Sequence, residues 1–271
     1  MLFVAIMVTG ICFNAEAMTL LFTLITGMTL WEFCGLVNDD GRASVNRFIT
    51  TAAGVYLYLA FAGFCSGITP SAVFIPYLLT IIYLFISELY LKQENPINNW
   101  AYTMLAQMYI ALPFSMINVL AFQADPATGE VGYQWMIPMA IFVFLWTNDT
   151  GAYCTGSLIG KHKLFPSISP GKTWEGSAGG AVLVVIVAII ISLLTASVEG
   201  TGGYAYWIGM GLVVVVFGTW GDLVESLFKR KLGIKDSGNI LPGHGGMLDR
   251  FDSSLMALPA VVIYLYSLSF L

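Results

Sequence analysis

Five side chains that could take part in chemistry recur at helical spacing just after an apolar run. They are Asp222, Glu225, Ser226, Lys229 and Arg230. Residues separated by three, four, seven and eight positions share one face of an α-helix. A cationic anchor at the lipid headgroups would explain the basic members of this set. It would not explain Asp222, because an acid at a membrane edge usually faces a polar cavity. We therefore favour a functional role for Asp222.

A glycine-rich stretch follows this face. It contains Lys235-Asp236-Ser237-Gly238 and then Pro242-Gly243-His244-Gly245-Gly246. Glycine lets backbone N–H groups approach a phosphate closely, and Lys235 and His244 add side-chain donors. The alternative is an ordinary flexible loop, but its position between two charged helical segments favours phosphate binding. For His244, contact with phosphate and a role as a base both stay open.

Two carboxylates lie one helical turn apart at the start of the last apolar run. Asp249 and Asp252 flank Arg250 and Phe251, and both carboxylates can point the same way from a helix. Two carboxylates together with substrate phosphates are a typical arrangement for Mg²⁺. Helix N-capping is the alternative, and it accounts for one aspartate more readily than for two.

A second candidate segment spans residues 149–176. Asp149 and Tyr153 begin it, Lys161 follows, and Ser169-Pro170-Gly171-Lys172-Thr173-Trp174-Glu175-Gly176 ends it. A Lys-Thr pair after Pro-Gly indicates phosphate contact, although the spacing is not that of a Walker A loop. The alternative is a loop that turns into a helix at Trp174, with Glu175 in the first turn.

Acids, cations and glycines in this combination suit phosphoryl or nucleotidyl transfer with a divalent metal. His162 and His244 are too few and too far apart in sequence to indicate a zinc site. The residues therefore predict a metal-dependent enzyme that acts on a phosphorylated substrate, with a lipid favoured. We expect no nucleic-acid partner.

The elements that must position these residues are membrane helices. The chain is 58% hydrophobic and only 10% charged, whereas a soluble domain is about a quarter charged. A helix needs about 20 apolar residues to cross a bilayer. The sequence predicts an all-α polytopic membrane protein with about nine transmembrane helices, at residues 1–13, 17–37, 48–65, 71–91, 98–122, 133–150, 176–198, 204–221 and 253–271.

The positions of the basic residues predict the orientation of the helices. All 11 lysines and arginines fall in four connecting segments, 38–47, 92–97, 151–175 and 222–252. By the positive-inside rule these segments are cytoplasmic, with the N-terminus cytoplasmic and the C-terminus external. We expect residues 1–132 to form a scaffold with possible dimer contacts. Residues 133–271 would carry cytoplasmic catalytic loops at 149–176 and 222–253.

The motifs carry a resemblance to a known family. The run from Ser226-Leu-Phe-Lys229-Arg230 through Lys235-Asp236 and Pro242-Gly243-His244-Gly245-Gly246 to Asp249-Arg250-Phe251-Asp252 resembles the signature of phosphatidate cytidylyltransferases, the CDP-diacylglycerol synthases. Upstream positions are also similar to that family, namely Asp149, Tyr153, Gly156, Ser169-Pro170 and Lys172-Thr173-Trp174-Glu175-Gly176, whereas Gly171 stands where a second lysine is common. The resemblance implies conversion of CTP and phosphatidate into CDP-diacylglycerol and pyrophosphate, Mg²⁺ as cofactor with the number of cations open, and a homodimer. It favours the bacterial inner membrane.

The resemblance also implies roles for single residues. Asp222 and Asp249 are the first candidates for metal ligands, followed by Asp236 and Asp252. Four cations would offset the repulsion between the two anionic substrates and stabilise the leaving pyrophosphate: Lys229, Arg230, Lys235 and Arg250. Nucleotide contacts are expected from Lys172, Thr173 and Glu175. Further substrate contacts are expected from Ser226, Gly243, Gly245, Gly246, Asp149, Tyr153 and Lys161.

Two other functions compete with this interpretation. A CTP-dependent lipid kinase of the dolichol-kinase type would transfer the γ-phosphate and release CDP. A transporter would place charges inside the apolar runs, whereas we expect the charges of this chain at the cytoplasmic ends of its helices.

Overall fold

The structure, a computed structural model, describes residues 2–125, 128–196, 203–238 and 245–268. Its helices are α1 Leu2–Phe13, α2 Ala15–Asp39, α3 Arg47–Cys65, α4 Ile75–Leu91, α5 Pro96–Ala106, α6 Leu112–Ala121, α7 Met136–Ile159, α8 Trp174–Thr195, α9 Tyr204–Lys231 and α10 Leu248–Leu268. A 3₁₀ turn, Ser71–Phe74, leads into α4, and a π-helical turn, Gln107–Ala111, joins α5 to α6. Two antiparallel hairpins pair β1 Phe122–Ala124 with β2 Val131–Tyr133 and β3 Lys163–Phe165 with β4 Ser169–Thr173.

The predicted fold class, an all-α polytopic membrane protein, is confirmed. Each of the nine predicted apolar runs contains helix in the part of the chain that the structure describes. Seven helical segments there are long and apolar enough to cross a bilayer, judged by length and composition. Helix α1 is shorter, and α7 carries the polar sequence Asn148-Asp149-Thr150. The count of nine spans and their orientation therefore stay predictions.

The helix boundaries follow local capping chemistry. The side chain of Asn14 accepts a hydrogen bond from Ala17 N at 2.7 Å, and that of Asn46 accepts one from Ile49 N at 3.0 Å. Such side chains satisfy backbone donors that have no partner within a helix. Helix α7 continues to Ile159, beyond the predicted end at 150, and α10 begins at Leu248 rather than at 253. The two short hairpins were not predicted.

The chain divides into two compact units. The first comprises residues 1–139 and 232–251, and the second comprises residues 140–231 and 252–271. The described residues of segment 232–251 therefore group with the N-terminal helices, whereas the sequence-based division assigned this segment to the C-terminal half. The functional roles predicted for the two halves stay predictions.

Each unit has its own apolar core. In the first, the Phe114 ring lies 6.2 Å from Phe22 and 5.6 Å from Phe251, between ring centroids. In the second, Phe144 and Trp207 are almost completely buried. Burial of such large side chains is a main source of stability within each unit.

Candidate active site

Three carboxylates form a cluster in the second unit, which we call the three-acid cluster: Asp149, Asp222 and Asp252. Asp222 repels both of the other carboxylates, and Asp149 also repels Asp252. The ammonium of Lys172 lies 2.6 Å from Asp222 Oδ2 and also attracts Asp149 and Asp252. Ser226 Oγ donates to Asp222 Oδ1 at 3.1 Å. Three acids thus share one lysine, which leaves an excess of negative charge.

The cluster depends on a close approach of two helices. Asp222 lies on α9 and Asp252 on α10, and a Cβ on Gly221 would lie 2.7 Å from the carbonyl oxygen of Asp252. Only glycine therefore lets the two backbones come this close. Asp252 Oδ1 in turn accepts a hydrogen bond from Ser253 N at 2.5 Å, which orients its carboxylate.

The β3–β4 hairpin brings Lys172 to the cluster. Strand β4 carries Lys172, whose ammonium also donates to the Thr219 carbonyl at 3.5 Å. Elsewhere along the hairpin, Phe165 packs on Trp220 with ring centroids 5.8 Å apart, and Arg230 Nε donates to the Ile168 carbonyl at 3.4 Å. Contacts along α9 thus hold the hairpin in place.

The polar face predicted for residues 222–230 does lie on one helix, α9. Its members, however, have different partners. Glu225 is completely buried and forms an ion pair with Lys229 at 2.7 Å, whereas Asp222 pairs with Lys172. Arg230 contacts the hairpin, as described above. The proposed contacts of Lys229 and Arg230 with phosphate stay predictions.

Two residues predicted to contact the nucleotide have local structural partners. Thr173 is buried and caps α8, because its Oγ1 accepts from Gly176 N at 3.1 Å. Glu175 accepts from the backbone N–H groups of Lys161 and His162, each at 3.1 Å, and lies 2.5 Å from His162 Nδ1. The alternative interpretation of this segment, a helix that begins at Trp174 with Glu175 in its first turn, is confirmed. Tyr153 and Lys161 are exposed.

Two acids and a serine lie together in the first unit, and we call them the Glu32 cluster: Glu32, Ser237 and Asp249. Asp249 Oδ2 accepts hydrogen bonds from Ser237 N and Gly246 N, both at 2.9 Å. Gly245 has a φ of +80°, which favours glycine, and a Cβ there would crowd Asp249 Oδ2 at 2.9 Å. Asp249 thus organises the backbone before α10, as the capping alternative predicts.

The remaining predicted residues of this region are less enclosed. Lys235, Asp236 and Arg250 are exposed. Gly243 and His244 lie outside the described residues, so their predicted contacts with phosphate stay predictions.

The donor chemistry suits a hard divalent cation. In the described part of the chain, no three or more His, Cys, Asp or Glu side chains form a group that could hold a metal ion. Mg²⁺, however, is usually held by one or two carboxylates together with substrate phosphates. The excess negative charge of the three-acid cluster fits that mode of binding. The assignment of the metal to Asp222 and Asp249 stays a prediction.

Sequence analysis missed two buried acids inside apolar runs. Glu32 lies in α2 with 6% of its surface exposed, and Glu88 lies in α4 with 9% exposed. Both lie in the half of their helix nearest a predicted cytoplasmic segment, 38–47 or 92–97, so the expectation that charges collect at the cytoplasmic helix ends stays a prediction. Both residues could have been identified from the sequence, because an ionisable residue inside a membrane span is a marker of function.

Comparison with known proteins extends over the whole chain. A sequence profile described as "Cytidylyltransferase family" matches residues 1–268. The phosphatidate cytidylyltransferase of Staphylococcus saprophyticus is 48% identical over 126 residues, which are 46% of this chain and 46% of that protein. The protein of the same name from Bacillus subtilis is 51% identical over 117 residues, 43% of this chain and 42% of that protein. The matched stretches therefore span less than half of these relatives.

Proposed function

We propose that this chain, which belongs to the cytidylyltransferase family, is a phosphatidate cytidylyltransferase. In this reaction a phosphate oxygen of phosphatidate attacks the α-phosphorus of CTP. The bond from that phosphorus to the bridging oxygen of the β-phosphate breaks, and pyrophosphate leaves with the electron pair. The products are CDP-diacylglycerol and pyrophosphate. The observation that carries the proposal is the three-acid cluster with Lys172, beside a membrane helix, in a chain of this family.

The charges of the site suit two anionic substrates. Mg²⁺ would neutralise phosphate charge and polarise the reacting phosphoryl group. We retain Asp222 and Asp249 as its ligands, with Asp252 and Asp236 as secondary candidates. Lys172 lies where a cation can exchange its carboxylate partner for a nucleotide phosphate, since it is 24% exposed. The phosphate monoester of phosphatidate has a second pKa near 6, so the nucleophile is largely ionised at neutral pH without a dedicated base.

We further propose that the site faces the cytoplasm from a bacterial plasma membrane. The apolar helices identify an integral membrane protein. Bacterial relatives and the gathering of all 11 basic residues in four connecting segments support this location and orientation. The predicted homodimer remains part of the proposal.

Product analysis tests the proposed reaction. Purified protein in detergent is given phosphatidate, Mg²⁺ and each of the four nucleoside triphosphates in turn. We expect CDP-diacylglycerol and an equal amount of pyrophosphate with CTP. Release of CDP and no CDP-diacylglycerol would instead identify a CTP-dependent lipid kinase. Failure to turn over any of the nucleotides would contradict both functions.

A further inference from the structure

Glu32 is a buried acid in the C-terminal third of the apolar helix α2, and it accepts three hydrogen bonds. Its Oε1 accepts from Ser237 Oγ at 2.5 Å and from Leu248 N at 3.1 Å, and its Oε2 accepts from Met247 N at 2.9 Å. A buried charge is costly unless hydrogen bonds compensate for the loss of water. Here the compensation comes from two segments that lie more than 200 residues away along the chain, since Glu32 and Ser237 are 205 residues apart.

These partners are the neighbours of Asp249. The side chain of Ser237 donates to Glu32, while the backbone N–H of Ser237 donates to Asp249 Oδ2. Gly246 N donates to Asp249, and the next two N–H groups along the chain, those of Met247 and Leu248, donate to Glu32. The backbone that orients Asp249 is therefore fixed from its other side by Glu32.

Two glycines show how closely Glu32 and this backbone pack. A Cβ on Gly246 would collide with Glu32 Oε1 and Ser237 Oγ, and a Cβ on Gly238 would lie 2.9 Å from Glu32 Oε2. Glu32 also lies at the N-terminus of α10, where the positive end of the helix dipole favours a carboxylate. The positive end of α10, the hydrogen-bond donors and the close packing all favour a carboxylate at this position.

We propose that Glu32 is a positioning residue for Asp249. By holding Ser237 and the segment 246–248, it presents two N–H donors to Asp249 and keeps that carboxylate in one orientation. This inference rests on the proposed function where it treats Asp249 as a ligand of Mg²⁺. Its structural part does not depend on activity.

Glu32→Gln tests the structural part by amide hydrogen exchange on the purified full chain. An NH₂ group in place of Oε1 would face the Leu248 N–H donor, and in place of Oε2 it would face the Met247 N–H donor, so at least one hydrogen bond must be lost. We expect exchange at Met247 and Leu248, and at Ser237 and Gly246 beyond them, to become about 10-fold faster. Unchanged exchange at these four amides would overturn the proposal.

The dependence of turnover on Mg²⁺ tests the functional part. Groups that orient metal ligands typically alter metal affinity or activity about 10- to 100-fold. We expect Glu32→Gln to raise the Mg²⁺ concentration for half-maximal turnover about 10-fold, at a temperature where the variant is folded. A lower melting temperature with an unchanged Mg²⁺ requirement would overturn the proposal and leave Glu32 a purely structural residue.

Two further variants keep the test decisive. Glu88→Gln is the matched control, because Glu88 is also a buried acid of the first unit and accepts a hydrogen bond from Asn99 Nδ2 at 2.8 Å. We expect it to leave the Mg²⁺ requirement and the exchange rates of the four amides unchanged. An equal change in both variants would contradict a specific role for Glu32.

If Glu32→Gln does not fold, Ser237→Ala removes the contact with Glu32 but keeps the backbone donor to Asp249. It should raise the Mg²⁺ requirement about threefold, a fraction of the effect of losing the whole group, and no change would overturn the proposal.

The outcomes separate this inference from the proposed function. If the unsubstituted protein forms no CDP-diacylglycerol, the proposed function fails, while the exchange experiment still decides whether Glu32 orders this backbone. If the unsubstituted protein is active and Glu32→Gln leaves either measurement unchanged, the inference alone fails.

Discussion

The two acidic clusters use the same residue types for different purposes. In the Glu32 cluster, backbone N–H groups donate to the carboxylates of Glu32 and Asp249. In the three-acid cluster, the carboxylate of Asp222 instead bonds to the side chains of Lys172 and Ser226 and faces two more carboxylates. Bonds to the backbone fix a conformation. Mutually repelling carboxylates around one lysine create a demand for positive charge that a metal ion can meet.

The comparison predicts where a loss of charge is most damaging. We expect Asp222→Asn to lower turnover at least about 100-fold, the scale of removing a group that stabilises transition-state charge. The amide oxygen can still accept from Ser226, so the protein should remain folded. Steady-state formation of CDP-diacylglycerol measures the effect, with Glu130→Gln, an exposed acid of the first unit, as the control. Turnover close to that of the unsubstituted protein would remove Asp222 from the chemistry.

Asp249 should both fix a backbone conformation and attract a metal ion. We expect Asp249→Asn to lower turnover about 100-fold, because the proposed metal ligand would lose its charge. An amide oxygen in the position of Oδ2 can keep the hydrogen bonds from both Ser237 N and Gly246 N, so the variant should fold. If activity persists and only the melting temperature falls, Asp249 is a capping residue and the Glu32 cluster is structural throughout.

These two aspartates also show what sequence alone can provide. The face from Asp222 to Arg230 was predictable because helical periodicity is local, and so was the start of α8 at Trp174. The pairing of Lys172 with Asp222 and that of Glu32 with Ser237 depend on contacts between distant parts of the chain. Nothing in local spacing specifies such contacts. Glu32 itself could have been singled out as an acid within an apolar run, but its partners could not.

Glycine substitutions probe how tightly the Glu32 cluster packs. We expect Gly246→Ala to destabilise the protein by about 1–3 kcal/mol, the usual cost of overpacking, because its Cβ would collide with Glu32 and Ser237. Gly171→Ala is the matched control, since no atom lies within 4 Å of the Cβ position there. Thermal unfolding in detergent compares the two variants. Equal melting temperatures would show that the Glu32 cluster tolerates expansion and is not tightly packed.

The lysine of the three-acid cluster provides a smaller test in the other unit. We expect Lys172→Met to lower kcat/KM for CTP about 10-fold, through the loss of one charge contact worth about 1.4 kcal/mol. Lys163→Met is the control, because Lys163 lies on the partner strand of the same hairpin and is exposed. Similar values for both lysine variants would show that Lys172 only neutralises the acids.

The smallest effect should come from Thr173 and should separate capping from nucleotide contact. The hydroxyl of Thr173 accepts from Gly176 N and is buried. Thr173→Ala should therefore cost about 1 kcal/mol of stability, as the loss of a helix N-cap usually does. Thr173→Ser keeps the cap and should retain nearly all of that stability. In the folded fraction of Thr173→Ala, we expect the KM for CTP to stay unchanged, because the hydroxyl is already used by the helix. A several-fold rise in KM that serine reverses would instead place this hydroxyl on the nucleotide, and would extend the chemistry of the three-acid cluster to the start of α8.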